Sequence, residues 1–99
     1  MPIIFHITTK PEWEAAQAEG LYAAPSLKEE GFIHCCQQEQ IADVLQRYFE
    51  GKKDLLKLSI DTAKLKSQLI YEWSPSNAET YPHVYGPINT DAVIAVDAL

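Results

Sequence analysis

An α+β domain is the fold class this sequence predicts, with two or three helices among five or six strands. Three observations predict it. Apolar runs of strand length alternate with segments of helical period. Capping residues and glycines bracket the helical segments. Loops bearing proline and glycine separate strands that then meet at a cleft. The chain has 99 residues, which is one domain, 1–99, with a single core. Hydrophobic residues are 46% of it, so a packed interior is expected rather than disorder.

The first strand runs from Ile3 to Thr8. Ile3, Phe5 and Ile7 face one way; Ile4, His6 and Thr8 face the other. A helix follows. Thr9 caps it, Glu12 completes a capping box, and Pro11 is tolerated in the first turn. Trp13 and Ala16 form its buried stripe, and Gly20 ends it. Leu21 to Pro25 reads as a loop. Ser26 and Glu29 repeat the capping signature for one helical turn closed by Gly31. Phe32 to Cys36 is the second strand. Phe32, His34 and Cys36 share one face, Ile33 and Cys35 the other.

The clearest helix spans about Gln37 to Glu50, with Ile41, Val44, Leu45, Tyr48 and Phe49 on one side. Gly51 stops it, and Arg47, Lys52 and Lys53 complement the negative end of its dipole. Leu55 to Ile60 is a strand buried on both faces. Asp61 caps a single turn through Lys64. Gln68 to Trp73 is a strand with Leu69, Tyr71 and Trp73 opposite Ile70 and Glu72. Ser74 to Tyr81 is a polar loop. His83 to Tyr85 is a short extended piece broken by Gly86-Pro87, and Ala92 to Val96 is the last strand.

All three histidines lie inside short apolar runs: Phe5-His6-Ile7, Ile33-His34-Cys35 and Pro82-His83-Val84. If these strands lie side by side, they build one histidine-lined pocket. Imidazole is the side chain best suited to move a proton near neutral pH. His6 and Thr8 share a face and make a compact donor–acceptor pair for sugar hydroxyls or a phosphate. The alternative is a histidine hydrogen-bonded inside a second small core. His34 suits a base, a stacking surface or a metal ligand. Cys36 suits a nucleophile only if an imidazole lowers its pKa, and free cysteine is otherwise small buried filler.

Tyr81-Pro82-His83-Val84-Tyr85-Gly86-Pro87 is the most distinctive segment. Prolines limit its backbone, His83 and Tyr85 project together, and Gly86 admits a close neighbour. The alternative is a structural corner. Glu72, between Tyr71 and Trp73, either orients a ribose hydroxyl or acts as a base in a cleft, or faces solvent on an edge strand.

Charge and motifs narrow the function. The net charge of -6 argues against an extended nucleic-acid groove and against an anionic membrane. No apolar run reaches the roughly 20 residues of a membrane helix. The amino-terminal sequence is not that of a secretory signal, and the adjacent Cys35 and Cys36 cannot staple distant segments, so a reduced cytoplasmic setting is expected. No Gly-rich phosphate loop, Cys-x-x-Cys or His-Glu-x-x-His is present, and nothing in the histidine spacing requires a metal.

Phe5-His6-Ile7-Thr8, Gly31-Phe32-Ile33-His34-Cys35-Cys36, Tyr71-Glu72-Trp73 and Pro82-His83-Val84-Tyr85-Gly86-Pro87 together resemble a family of small bacterial proteins called domain of unknown function 952. The resemblance covers essentially the whole chain. That family looks like a compact relative of the ADP-ribosyltransferase fold. This implies a split, mainly antiparallel β-sheet that grips NAD in a cleft. It also implies roles. His6 and Thr8 match the histidine and hydroxyl that hold the adenosine ribose. His34 stands where a ring, commonly tyrosine, stacks near the nicotinamide. Glu72, or His83 in its place, orients the nicotinamide ribose. His34, Glu72 and His83 are then the catalytic candidates, and His6, Thr8 and Tyr85 the cofactor-binding ones.

The implied partner is a small nucleotide ligand such as NAD or ADP-ribose, with no metal and with the oligomeric state unspecified. Two classes of function follow. One is an enzyme that cleaves NAD or moves an ADP-ribosyl or ribose-phosphate group. The other is a non-catalytic nucleotide-binding module. A third reading is a structural protein whose histidines only pack.

Overall fold

Two three-stranded antiparallel sheets and one two-stranded ribbon carry the fold in the computed structural model, which describes residues 2–99. Strand β1 (Ile3–Thr9) leads into helix α1 (Lys10–Glu19), β2 (Leu21–Tyr22) and helix α2 (Pro25–Glu30). Strand β3 (Ile33–His34) precedes helix α3 (Ile41–Tyr48). Then come β4 (Leu55–Asp61), β5 (Gln68–Ser74), β6 (Glu79–Tyr85), β7 (Ile88–Asn89) and β8 (Val93–Ala98). The sheet orders are β1-β4-β8, β2-β7 and β3-β6-β5. The class is therefore α+β with antiparallel sheets and, among the described residues, three α-helices.

Strand β1 and helix α1 form as their residues dictate. Thr9 caps the helix through its hydroxyl, which accepts from the Glu12 amide at 3.4 Å. Gly20 closes it with φ of 81°, a left-handed stop that a side chain would resist. Trp13 and Ala16 are the buried residues of this helix. The main core gathers Ile4, Tyr22, Ile33, Leu58, Ile60, Val84 and Ile88 around them. Ile4, Leu58 and Ile60 are fully buried. Each contributes about 2 kcal/mol by leaving water. A second cluster joins Phe5, Ile7, Cys36, Leu55 and Tyr81 to Ile41 of α3. Opposite faces of β1 thus serve two clusters rather than the single core expected from the chain length, although the alternation of its side chains is as read from the sequence.

Several expectations need correction. Leu21–Tyr22 is not loop but strand, paired with Ile88–Asn89. Ser26 does not cap α2, whose N-cap Ala24 lacks a side-chain cap; the Ser26 hydroxyl donates to the Phe32 carbonyl at 2.8 Å. The second strand shrinks to Ile33–His34, with one further bridge at Cys36. The third helix starts as a tighter turn over Gln38–Gln40 and ends at Tyr48, before Gly51. The polar loop is shorter than expected, because Glu79 already pairs with Ser74 and β6 runs on as a central strand. The strands number eight among the described residues, and three of them are two residues long.

Gly86 admits a neighbour, but the neighbour is Ser67 rather than a ligand. A Cβ at position 86 would collide with the Ser67 side chain, whose hydroxyl is fixed on the Pro87 carbonyl at 2.7 Å. Gly86→Ala is expected to cost about 1–3 kcal/mol, because the crowded atom cannot turn away without losing that bond. Urea unfolding would read the loss as a lower midpoint, and an unchanged midpoint would refute the contact.

Candidate functional site

The site begins where two sheets part. Phe5 of β1 exchanges both backbone hydrogen bonds with Cys36, at 2.9 and 2.7 Å. Continuing that register would set Ile7 opposite His34. The ladder does not continue. The His6 ring takes the His34 carbonyl instead, donating from Nδ1 at 2.6 Å. A carbonyl only accepts, so the neutral ring must carry its hydrogen on Nδ1. A side chain thus replaces a backbone rung, and a cleft opens beside it.

The other ring nitrogen is also occupied. His6 Nε2 lies 2.7 Å from the Tyr22 hydroxyl, which lies 3.0 Å from Thr8 Oγ1. A tyrosine has one hydroxyl hydrogen. With Nε2 bare, that hydrogen goes to His6, and Thr8 donates to the tyrosine oxygen. Burial pushes the His6 imidazole down to about 4, against the opposing pull of the His34 carbonyl and Glu12. Burial also pushes the Tyr22 phenol up. This polar floor is neutral and internally satisfied.

Above it lies a cleft of about 830 Å³. His6, His34 and His83 all line it, with Thr8, Tyr22, Tyr81 and Lys52 among their neighbours. The three segments predicted to converge do so. Glu12, Glu29 and Glu30 bring carboxylates to the lining, against the single cation of Lys52. The cleft therefore has a net acidic wall. Its size falls within the range of about 300–1,000 Å³ usual for small-molecule and cofactor sites.

His83 and Glu72 are diagonal neighbours on one face of the β5–β6 hairpin, His83 pairing with Ile70 and Glu72 with Tyr81. His83 Nδ1 donates to Glu72 Oε1 at 2.7 Å, and the Tyr85 hydroxyl donates to the same oxygen. These two bonds, the tyrosine's first, hold the Glu72 carboxyl below its usual range. The same bond holds the Tyr85 phenol up. Phe32 stacks on the His83 ring at 4.1 Å and 20°. No buried polar side-chain atom among the described residues lacks a partner. His83 Nε2 has none, so it must reach solvent. Glu72 and Tyr85 do not line the cleft; they act on it through His83.

His34 is the open histidine. Its ring packs edge-on to Phe32 at 4.8 Å and to His83 at 5.3 Å. Its Nε2 lies 3.0 Å from Glu30 Oε2. Burial pushes the Cys35 thiol up strongly and the Cys36 thiol up to about 11, so neither is a ready thiolate. Among the described residues no group of three or more metal-ligating side chains gathers. No described helix is long and apolar enough to cross a membrane.

Sequence reasoning overlooked Tyr22, Glu30 and Asn77. Tyr22 lies in a stretch that reads as loop in the sequence. Asn77 donates to the hydroxyls of Tyr48 and Tyr81 and accepts from Arg47, tying α3 to the hairpin turn at the cleft. No local period marks any of these links. The one available signal was Glu30, four residues before His34, but a helix end and a glycine separate them.

A family model described as "Protein of unknown function (DUF952)" matches residues 7–96. The chain belongs to that family. The X-ray crystal structure of protein CC0527 from Caulobacter crescentus is similar to it, with a TM-score of 0.90 and 28% identity. That match covers 99% of this chain and 86% of the other. The solution NMR structure of the same protein gives a TM-score of 0.83 and 29% identity, covering 100% of this chain and 85% of the other. No curated protein matches. The DUF952 membership and the α+β class thus stand on these comparisons; an ADP-ribosyltransferase relationship does not follow from them.

Proposed function

We propose that the cleft binds a nucleotide of the NAD or ADP-ribose class, as the compact ADP-ribosyltransferase reading of the fold implies, and that His83 moves a proton on it. One observation carries this reading. Glu72 holds the Nδ1 hydrogen of His83 while the ring lines the cleft with Nε2 unpartnered. An imidazole oriented by a carboxylate on one nitrogen and open on the other is the general-base arrangement. The His34 and His83 rings, backed by Phe32 from outside the lining, offer flat surfaces to a base or a nicotinamide ring. The acidic wall favours the cationic ring of oxidised NAD, and the Lys52 ammonium offers donors to phosphate or ribose.

His6 and Thr8 keep a place in this reading as the floor beneath the ligand. Their polar atoms already bond to His34, Tyr22 and each other's partners, so they shape the site more than they grip ribose. Tyr85 supports Glu72 rather than the cofactor.

A second reading is a non-catalytic nucleotide-binding module. It is favoured by the placement of Glu72, the carboxylate suited to an electron-poor ribose carbon, behind His83 rather than in the cleft. Calorimetric titration with NAD and ADP-ribose, followed by assay of nicotinamide release, separates the two. The enzyme reading expects binding and release; the module expects binding alone. Absence of any binding by either nucleotide would refute both.

A further inference from the structure

The hollow holds a second carboxylate–imidazole pair. His34 Nε2 lies 3.0 Å from Glu30 Oε2, and His83 Nδ1 lies 2.7 Å from Glu72 Oε1. The two rings stand 5.3 Å apart, centroid to centroid, at 81°. Both line the same cleft, and Glu30 lines it with them. Each ring uses one nitrogen on its carboxylate and has the other without a partner among the described residues. The environments differ. The His34 side chain is 52% exposed and the His83 side chain 12%. Paired proton carriers in unequal surroundings suit opposite tasks, one taking a proton and one giving it.

We propose that Glu30 is a positioning residue for His34, that His34 is the acid opposite the base His83, and that the reacting bond of the substrate joins a ribose carbon to oxygen. The inference rests on the nucleotide reading of the cleft. In the step, a water or hydroxyl oxygen bonds to the ribose carbon, and its proton passes to His83 Nε2. The bond from that carbon to the leaving oxygen breaks, and its electron pair stays on the oxygen. The imidazolium form of His34 delivers the Nδ1 proton there. One proton is taken and one is given, and exchange with solvent resets both rings. Nicotinamide needs no such acid, because it leaves a pyridinium bond as a neutral base. An O-linked ribosyl nucleotide needs one, because an alkoxide is a poor leaving group.

Two probes test this with the full chain: ADP-ribose joined at its terminal anomeric carbon to an aliphatic alcohol, and the same nucleotide joined to para-nitrophenol. The wild type is expected to cleave both. Glu30→Gln is expected to slow the aliphatic substrate about tenfold or more, and the nitrophenyl substrate by less than about twofold, since that group leaves without a proton. Glu30→Asp restores part of the loss. Equal slowing of both probes, or of neither, overturns the proposal, because a structural role would not sense the leaving group. So does ADP-ribose binding with no cleavage of either probe. If ADP-ribose itself does not bind, the nucleotide reading fails and carries this inference with it.

Discussion

His83→Gln and Glu72→Gln are each expected to lower turnover in the cleft by about 100-fold or more, with ligand affinity changed little. The two variants act by different routes. His83→Gln removes the proton acceptor. Glu72→Gln leaves the ring but loses its orienting charge. A glutamine can also turn its amide nitrogen toward Nδ1, which pushes the ring hydrogen onto Nε2 and points a donor where a lone pair is needed. Combined, the two should cost little more than either alone, because the residues act as one unit. Steady-state rates with NAD for the two single variants and the double variant would show this. Additive losses would mean that Glu72 and His83 work separately, against the 2.7 Å bond between them.

The second large effect concerns the buried floor. His6→Ala is expected to destabilise the fold by about 3 kcal/mol, from a cavity and from polar partners left alone at Tyr22 and His34. His6→Asn should cost less, since its amide can still donate to the His34 carbonyl. The wild type also carries a pH signature. The folded His6 titrates near 4 and the unfolded one near 6.5. Between those values the unfolded chain binds the extra proton, so stability falls as pH falls. Its contribution is full above pH 6.5 and lost progressively down to pH 4. The shift corresponds to about 3 kcal/mol. Acidic groups add their own slope, so the diagnostic is the wild type minus His6→Asn difference, measured by denaturant unfolding across that window. A difference that stays flat would mean that the His6 ring is charged or solvated in the fold.

The legible parts of the fold were those whose signals are local. Alternation marked β1, and Thr9, Glu12 and Gly20 marked both ends of α1. Asp61 marked its turn, accepting from the Ala63 amide at 3.0 Å. The illegible parts lack a local period. A two-residue strand such as β2 is too short to alternate, and only its pairing with Ile88–Asn89 defines it. The polar run around Pro75 makes the start of β6 read as loop, and Pro82 follows directly. Yet Pro82 lies beyond the β3 ladder and offers its carbonyl to the Cys35 amide at 3.0 Å, so its missing hydrogen breaks no rung there.

The site divides along the same line. The histidines stood out because each interrupts an apolar run, and tertiary structure brings the three runs to one cleft. Tyr22 did not, since it meets His6 across sixteen positions of sequence and with no spacing rule. Nor did the reversal of roles at Glu72, because strand alternation gives the face of a side chain but not which neighbour stands between it and the ligand.

The most direct test of the account is nitrogen-15 NMR of the imidazole rings during titration with ADP-ribose. It predicts that the His34 and His83 signals move along one saturable curve, that His83 keeps its hydrogen on Nδ1 while Nε2 responds most, and that the interior His6 ring shifts far less. Saturable binding that leaves both the His34 and His83 rings unmoved would contradict it.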